Sequence, residues 1–136
     1  MAEIKGKSTA TGKFPPTVRL EIKKDHELGK GLFVKGKVIS KRELPADTYG
    51  HVKPVISLEL IDLHEKASTQ ISVAKGEYQE VAVTQGDIID FIGAGTDLME
   101  KLPQVNVGDI VTITNNGLTP KVKGRNQKKL FKVEVQ

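Results

Sequence analysis

Apolar residues recur at every second position over most of this chain, the period of a half-buried β-strand. In the segment 17–23, Val18, Leu20 and Ile22 share one face while Arg19, Glu21 and Lys23 share the other. Residues 31–40 predict a longer strand, with Leu32, Val34 and Val38 on one side and Phe33, Lys35, Lys37 and Lys41 on the opposite one. Gly36, in its middle, suits a bulge. After a loop over 43–51, residues 52–63 predict a third strand with Ile56, Leu58 and Leu60 inward; 69–73 and 80–83 predict shorter ones. The period then changes. Over 86–102 the positions Ile88, Ile92, Leu98, Met99 and Leu102 follow helical spacing, and Phe91 adjoins that stripe. Thr84 or Asp87 would cap this helix and Pro103 would stop it, while Gly93 and Gly95 weaken its middle enough to split it in two. Last comes a hairpin: the alternating run 109–114, a turn at Asn115-Asn116-Gly117, and a returning arm that ends in the alternation of Phe131, Val133 and Val135.

Several strands, one helix and a final hairpin predict a mainly β fold. The order is that of a five-stranded OB-like β-barrel, with the helix, whole or broken, between the third and fourth barrel strands and an extra strand at the N-terminal side. Residues 17–136 are expected to form this single domain. Residues 1–16, small, polar and basic and ending in Pro15-Pro16, are expected to be a flexible arm.

Composition changes the picture chiefly through charge. A hydrophobic content of 38% with 28% charged residues is that of a folded chain, and the formal net charge is +4. The surplus is uneven. Residues 77–100 hold Glu77, Glu80, Asp87, Asp90, Asp97 and Glu100 without one lysine or arginine. The returning arm of the last hairpin instead carries Lys121, Lys123, Arg125, Lys128, Lys129 and Lys132 with no carboxylate before Glu134. Cations gathered on one ribbon point to a polyanion, and nucleic acid is the natural one. The absence of cysteine excludes disulfides, thiolate zinc sites and cysteine nucleophiles and agrees with a reducing cytoplasm. No apolar run has the length of a membrane span and no signal core opens the chain, so a cytoplasmic protein is expected.

The run Val107-Gly-Asp-Ile-Val-Thr-Ile113, with Asn116-Gly117, Lys123-Gly-Arg125 and Phe131-Lys-Val-Glu-Val135, resembles the closing hairpin of phage-type OB-fold single-stranded-DNA-binding proteins. Lys35-Gly-Lys-Val-Ile39 is similar to their first barrel strand. The likeness extends over roughly residues 30–136 in layout, and its specific motif lies in the last thirty residues. It implies a protein that protects single-stranded DNA during replication or recombination, with little sequence preference, in a phage setting and in the host cytoplasm. Many such proteins recruit replication partners through an acidic C-terminal tail; this chain ends Val133-Glu-Val-Gln136 without one.

Sequence-neutral strand binding needs cations that follow the phosphates and aromatics on which bases stack. The residues placed for this are Phe33, Lys35, Lys37, Lys41 and Arg42 on the 31–42 strand, Tyr49 and Lys53 in and after the next loop, Tyr78, and Lys121, Lys123, Arg125, Lys128 and Lys129. Phe131 alternates with valines and reads as core. Gly6-Lys7-Ser8-Thr9 lacks the upstream glycine and strand of a phosphate-binding loop, and Gly93-Ala-Gly95 lacks the spacing of a dinucleotide fingerprint. Asp62, His64 and Glu65 read as a solvated turn rather than as metal ligands. No nucleophile stands with a base, so neither an enzyme nor a cofactor is indicated. The competing readings are an RNA-binding OB module, a structural β-barrel of a virion in which the hairpin is a protein interface, and a metal-dependent nuclease using the Asp62 cluster.

Overall fold

The computed structural model describes residues 15–136, so the arm expected over 1–16 lies, apart from Pro15 and Pro16, outside the described residues. Eight strands form one open mixed sheet: β1 (Thr17–Arg19), β2 (Phe33–Glu43), β3 (Pro54–Leu63), β4 (Ser68–Ala74), β5 (Glu77–Glu80), β6 (Ile88–Ile92), β7 (Ile110–Leu118) and β8 (Lys129–Val135). The order across the sheet is β5-β4-β1-β6-β3-β2-β7-β8. One short helix, α1 (Thr96–Lys101), and a 3₁₀ turn, Leu102–Gln104, join β6 to β7. Residues drawn from β1, β2, β3, β6, α1, β7 and β8 meet in one core, among them Val34, Leu58, Ile89, Leu98, Ile113 and Phe131.

The fold is mainly β as expected, but the five-stranded OB-like barrel with one extra strand is not what forms: the eight strands make one open sheet. The sheet curls far enough for Phe131 on β8 to meet Phe91 on β6 edge-on, with ring centroids 6.2 Å apart. No backbone ladder joins the two strands, because each edge is already engaged. The outer edge of β6 is taken by β1, which runs parallel to it at Thr17 and Asp90. On β8, the Phe131 N–H donates to Asp97 Oδ2 (2.7 Å) and Lys101 Nζ donates to the Phe131 carbonyl (2.6 Å), so α1 caps the strand where a barrel would close. Of the strand expected over 17–23 only Thr17–Arg19 forms, and it is an interior member of the sheet, between β4 and β6; the chain leaves the sheet at Leu20 and turns back at Lys23-Lys24.

The helix expected over 86–102 is a second correction. Its first half is β6, in which Ile89 and Phe91 face the core and the whole strand pairs with β3 from Val55↔Ile92 to Glu59↔Ile88. Apolar residues on both faces of a central strand imitate helical spacing. Thr84 and Asp87 do form the expected cap-like turn, with Asp87 Oδ2 accepting the Thr84 N–H at 2.8 Å, but it leads into a strand. The helix starts only after Gly95, and Pro103 sits within the 3₁₀ turn rather than after it. The strand expected over 80–83 is displaced to Glu77–Glu80.

The third correction concerns the last hairpin. Asn115-Asn116-Gly117 is no turn: β7 runs through it to Leu118, with an irregularity in its pairing to β8 between Asn115 and Leu118. The Asn115 side chain is buried, donates to the carbonyls of Leu20 (2.7 Å) and His26 (2.8 Å), and accepts the Gly117 N–H (2.8 Å). An amide able to donate and accept at once brackets the 20–26 segment onto β7. The actual reversal is at Lys123-Gly124, where Gly124 has φ +81° and the Arg125 N–H donates to the Val122 carbonyl at 3.1 Å. Gly36 performs as expected: pairing of β2 with β3 shifts between Lys35 and Gly36, and a Cβ there would come within 2.8 Å of the Glu59 carbonyl oxygen.

Candidate nucleic-acid interface

Because the turn lies at Lys123-Gly124, the expected cationic arm divides. Lys129 and Lys132 are on β8, whereas Lys121, Lys123, Arg125 and Lys128 belong to the β7–β8 loop, and all four are exposed. The loop is ordered at its base. The Thr119 N–H donates to the Lys128 carbonyl (2.9 Å), the Lys128 N–H to Thr119 Oγ1 (2.8 Å) and Gln127 Nε2 to the Thr119 carbonyl (2.9 Å). None of the four cations forms an ion pair among the described residues. Four cations without carboxylates on a braced finger are a ready contact for phosphates.

At the other end of β2, the 44–53 loop is built around Asp47. Its Oδ1 accepts the N–H groups of Tyr49 (2.8 Å) and His51 (2.9 Å). The bond from the His51 N–H holds the Asp47 carboxyl below its usual range. Tyr49 stands out on this brace, 84% exposed, with its ring centroid 6.3 Å from that of His51. Since β7 is antiparallel to β2, the Tyr49 loop and the basic loop lie at opposite ends of an 11-residue strand, roughly 35 Å of contour.

A path between the two loops follows the seam where the curled sheet fails to close. A hollow of about 410 Å³ lies between His51, Lys53, Gly95 and Met99. A second, of about 400 Å³, continues past Lys53 and Gly95 between Arg19 on β1 and Lys129 and Phe131 on β8. Lys53 and Gly95 line both. The seam therefore joins Lys53 and His51, whose ring neighbours that of Tyr49, to Lys129 at the base of the basic loop, with Arg19, which sequence reasoning missed, beside them.

The other expected residues lie elsewhere. Phe33 is half-buried on the outer face of β2, edge-on to His64 at 5.7 Å. On that face Lys35 stands opposite Asp62 and Lys37 opposite Glu59, so carboxylates from β3 alternate with the lysines. Lys41 Nζ donates to the carbonyls of Pro103 (3.0 Å) and Val105 (2.7 Å), closing the end of the 3₁₀ turn. Arg42 pairs with buried Asp90 at 2.6 Å. Tyr78 is exposed on β5, the far edge of the sheet, between Glu77 and Glu80. Asp62 and His64 accept the nearby N–H groups of Leu63 and Lys66, and among the described residues no group of three His, Asp or Glu is placed to hold a metal ion.

Glu21 holds the seam's cations in place. Its carboxylate is 2.6 Å from Lys129 Nζ and 3.2 Å from Arg19 Nη2. Burial pushes its pKa up, but the bonds and charges of Lys129 and Arg19 outweigh this and bring it below the ordinary 4.5. A folded-state pKa lower than the unfolded one means stabilisation that is complete above the unfolded value and lost as pH falls through the folded one. E21Q should accordingly be less stable than the parent near about pH 7, and the two urea midpoints should draw together as pH falls below the ordinary carboxylate value of 4.5. Parallel midpoints across that window would remove Glu21 from this role.

Comparison of the chain with protein-family models, with curated proteins and with solved structures finds no match in any of the three. Among the described residues no helix is long and apolar enough to cross a membrane.

Proposed function

We propose that this protein binds single-stranded DNA with little sequence preference, along the seam from Tyr49 through Lys53 and Lys129 to the basic loop. The observation that carries the reading is the braced loop with Lys121, Lys123, Arg125 and Lys128 free of ion pairs among the described residues. Tyr49, held out by Asp47, is the base-stacking group, at about 1–3 kcal/mol if fully engaged. Within the eight-stranded sheet β2, β3, β6, β7 and β8 succeed one another with the helix between the third and fourth of them, an OB-like order that supports the resemblance to phage-type single-strand binders. That resemblance adds the role: shielding exposed strands during replication or recombination.

Fluorescence anisotropy with labelled oligo-dT, a matched RNA and a duplex of equal length tests the reading at about 50 and 200 mM salt. Four to six phosphate contacts give a log-log salt slope of about −3 to −4. Preference for oligo-dT over the duplex supports the seam, and preference for the RNA moves the substrate to RNA, since the 2′-hydroxyl is then being read. Equal, weak binding to all three would sink it.

A second reading, as an assembly component of a virion, is favoured by one feature. The β4–β5 hairpin is exposed through Val73 and Tyr78, and β5 ends the sheet with an open edge among the described residues. A large, salt-stable ring in light scattering would favour this reading.

A further inference from the structure

We infer that the turn carrying Lys23 and Lys24 is a second phosphate-binding element, gripping the same single strand beside the basic loop. The inference rests on the single-strand-binding reading above and adds residues to it.

Ile22 and Asp25 face each other across a two-residue reversal, with the Asp25 N–H donating to the Ile22 carbonyl at 2.9 Å. Lys23 and Lys24 occupy its two central positions at φ +52° and +62°. Two successive left-handed residues define the reversal that Asn-Gly makes most readily, and a Cβ is disfavoured at both positions. They are the only non-glycine residues with positive φ among the described residues. A turn that sacrifices backbone comfort for two charges is the pattern of strain kept at a functional site.

Position supports the same conclusion. Three contacts tie this segment to the base of the basic loop: Lys129 Nζ to Glu21 (2.6 Å), His26 Nε2 donating to the Leu130 carbonyl (3.2 Å), and the Leu118 N–H to Glu27 Oε2 (3.2 Å). The neighbouring carboxylates are engaged in the fold. Asp25 Oδ1 accepts the N–H groups of Glu27 (2.9 Å) and Leu28 (3.1 Å), Glu27 caps Leu118, and Glu21 is paired with Arg19 and Lys129. Lys23 and Lys24 are exposed and form no ion pair among the described residues. Lys30, whose side chain lies close against Gly117, adds a further cation at this end. A strand leaving the seam at Lys129 thus meets cations on both sides, from 121–128 and from 23–24.

K23N/K24G separates charge from folding, because it relaxes the turn while removing both cations. The expected variant melts about 5 °C higher, binds oligo-dT about 25-fold more weakly at 0.1 M salt, and has a salt slope shallower by about 1.4. Affinity and slope within twofold of the parent's would overturn the inference and leave the broader reading standing. Failure of the parent itself to bind oligo-dT removes both. If K23N/K24G does not fold, K23Q/K24Q, which keeps the native turn, is judged on the same fold-change and slope.

Discussion

Replacing Lys121, Lys123, Arg125 and Lys128 together by glutamine should weaken oligo-dT binding several hundred-fold at 0.1 M salt and leave the melting temperature within a few degrees. Each phosphate neutralised on a single strand releases about 0.7 of a counterion, so four contacts contribute a factor of roughly 600 at that salt. The log-log slope should become shallower by about 2.8. Folding is spared because the four side chains are exposed and form no ion pairs among the described residues, while the loop's base is held by Thr119, the Gln127 side chain and the backbone, not the side chain, of Lys128. Anisotropy titrations at several salt concentrations read the slope, and thermal unfolding reads the fold. An unchanged slope would show that the loop does not touch the strand. The same loss with RNA and duplex alike would make the loop a general cationic surface, without a stacking groove behind it.

The largest stability effect is expected at Asp90. Its carboxylate is 2% exposed, accepts the Ser57 hydroxyl at 2.6 Å and pairs with Arg42 Nη2 at 2.6 Å. D90A leaves the Ser57 hydroxyl without this acceptor and removes the carboxylate that pairs with the Arg42 guanidinium. Breaking such a pair costs about 3–5 kcal/mol when both partners are buried; Arg42 is partly exposed, which places the expected loss at about 3 kcal/mol. For a chain of this length that is about 10 °C in melting temperature. An aspartate on the exposed side of a helix, as the period of 86–102 suggests, would lose under about 0.5 kcal/mol. Thermal unfolding of D90A and D90N separates these cases, and a shift of less than about 2 °C for D90A would refute the buried pair. Since the Asp90 side chain lines neither hollow of the seam, oligo-dT affinity at low temperature should survive the substitution.

The basic loop and Asp90 show how legibility divides. The strands that alternate cleanly, β1, β2 and β8, were readable because a half-buried strand needs only its own side chains to declare a face. Gly36 was readable for a similar reason: a glycine inside an alternating run marks either a bulge or a close approach, and here both occur. The concentration of cations at 121–129 was visible as composition. β6 was misread because a strand packed on both faces carries apolar residues without alternation. Its identity comes from β3 lying alongside, and its aspartate is tolerable only because Arg42, 48 residues earlier in the chain, reaches it. Asn115 was misread as a turn because its local preference for turns is real, and it lost to a buried site where one amide serves three backbone groups.

Sequence by itself therefore determined a mainly β chain, the faces of its regular strands and the place where its positive charge gathers, since all three follow from side chains within a few residues of one another. Tertiary structure alone decided which edges pair, and with them the character of the surface. Register set Asp62 and Glu59 opposite Lys35 and Lys37, which turned an apparent cationic face into a mixed one. The parallel pairing of β1 with β6 and the capping of β8 by Asp97 and Lys101 left the sheet open, and so created the seam that brings Lys53, Arg19 and Lys129 together. Strand periodicity reports a direction relative to the local backbone, whereas edges and registers are chosen by residues far apart in the chain, whose contacts form only when the whole sheet has assembled over its core.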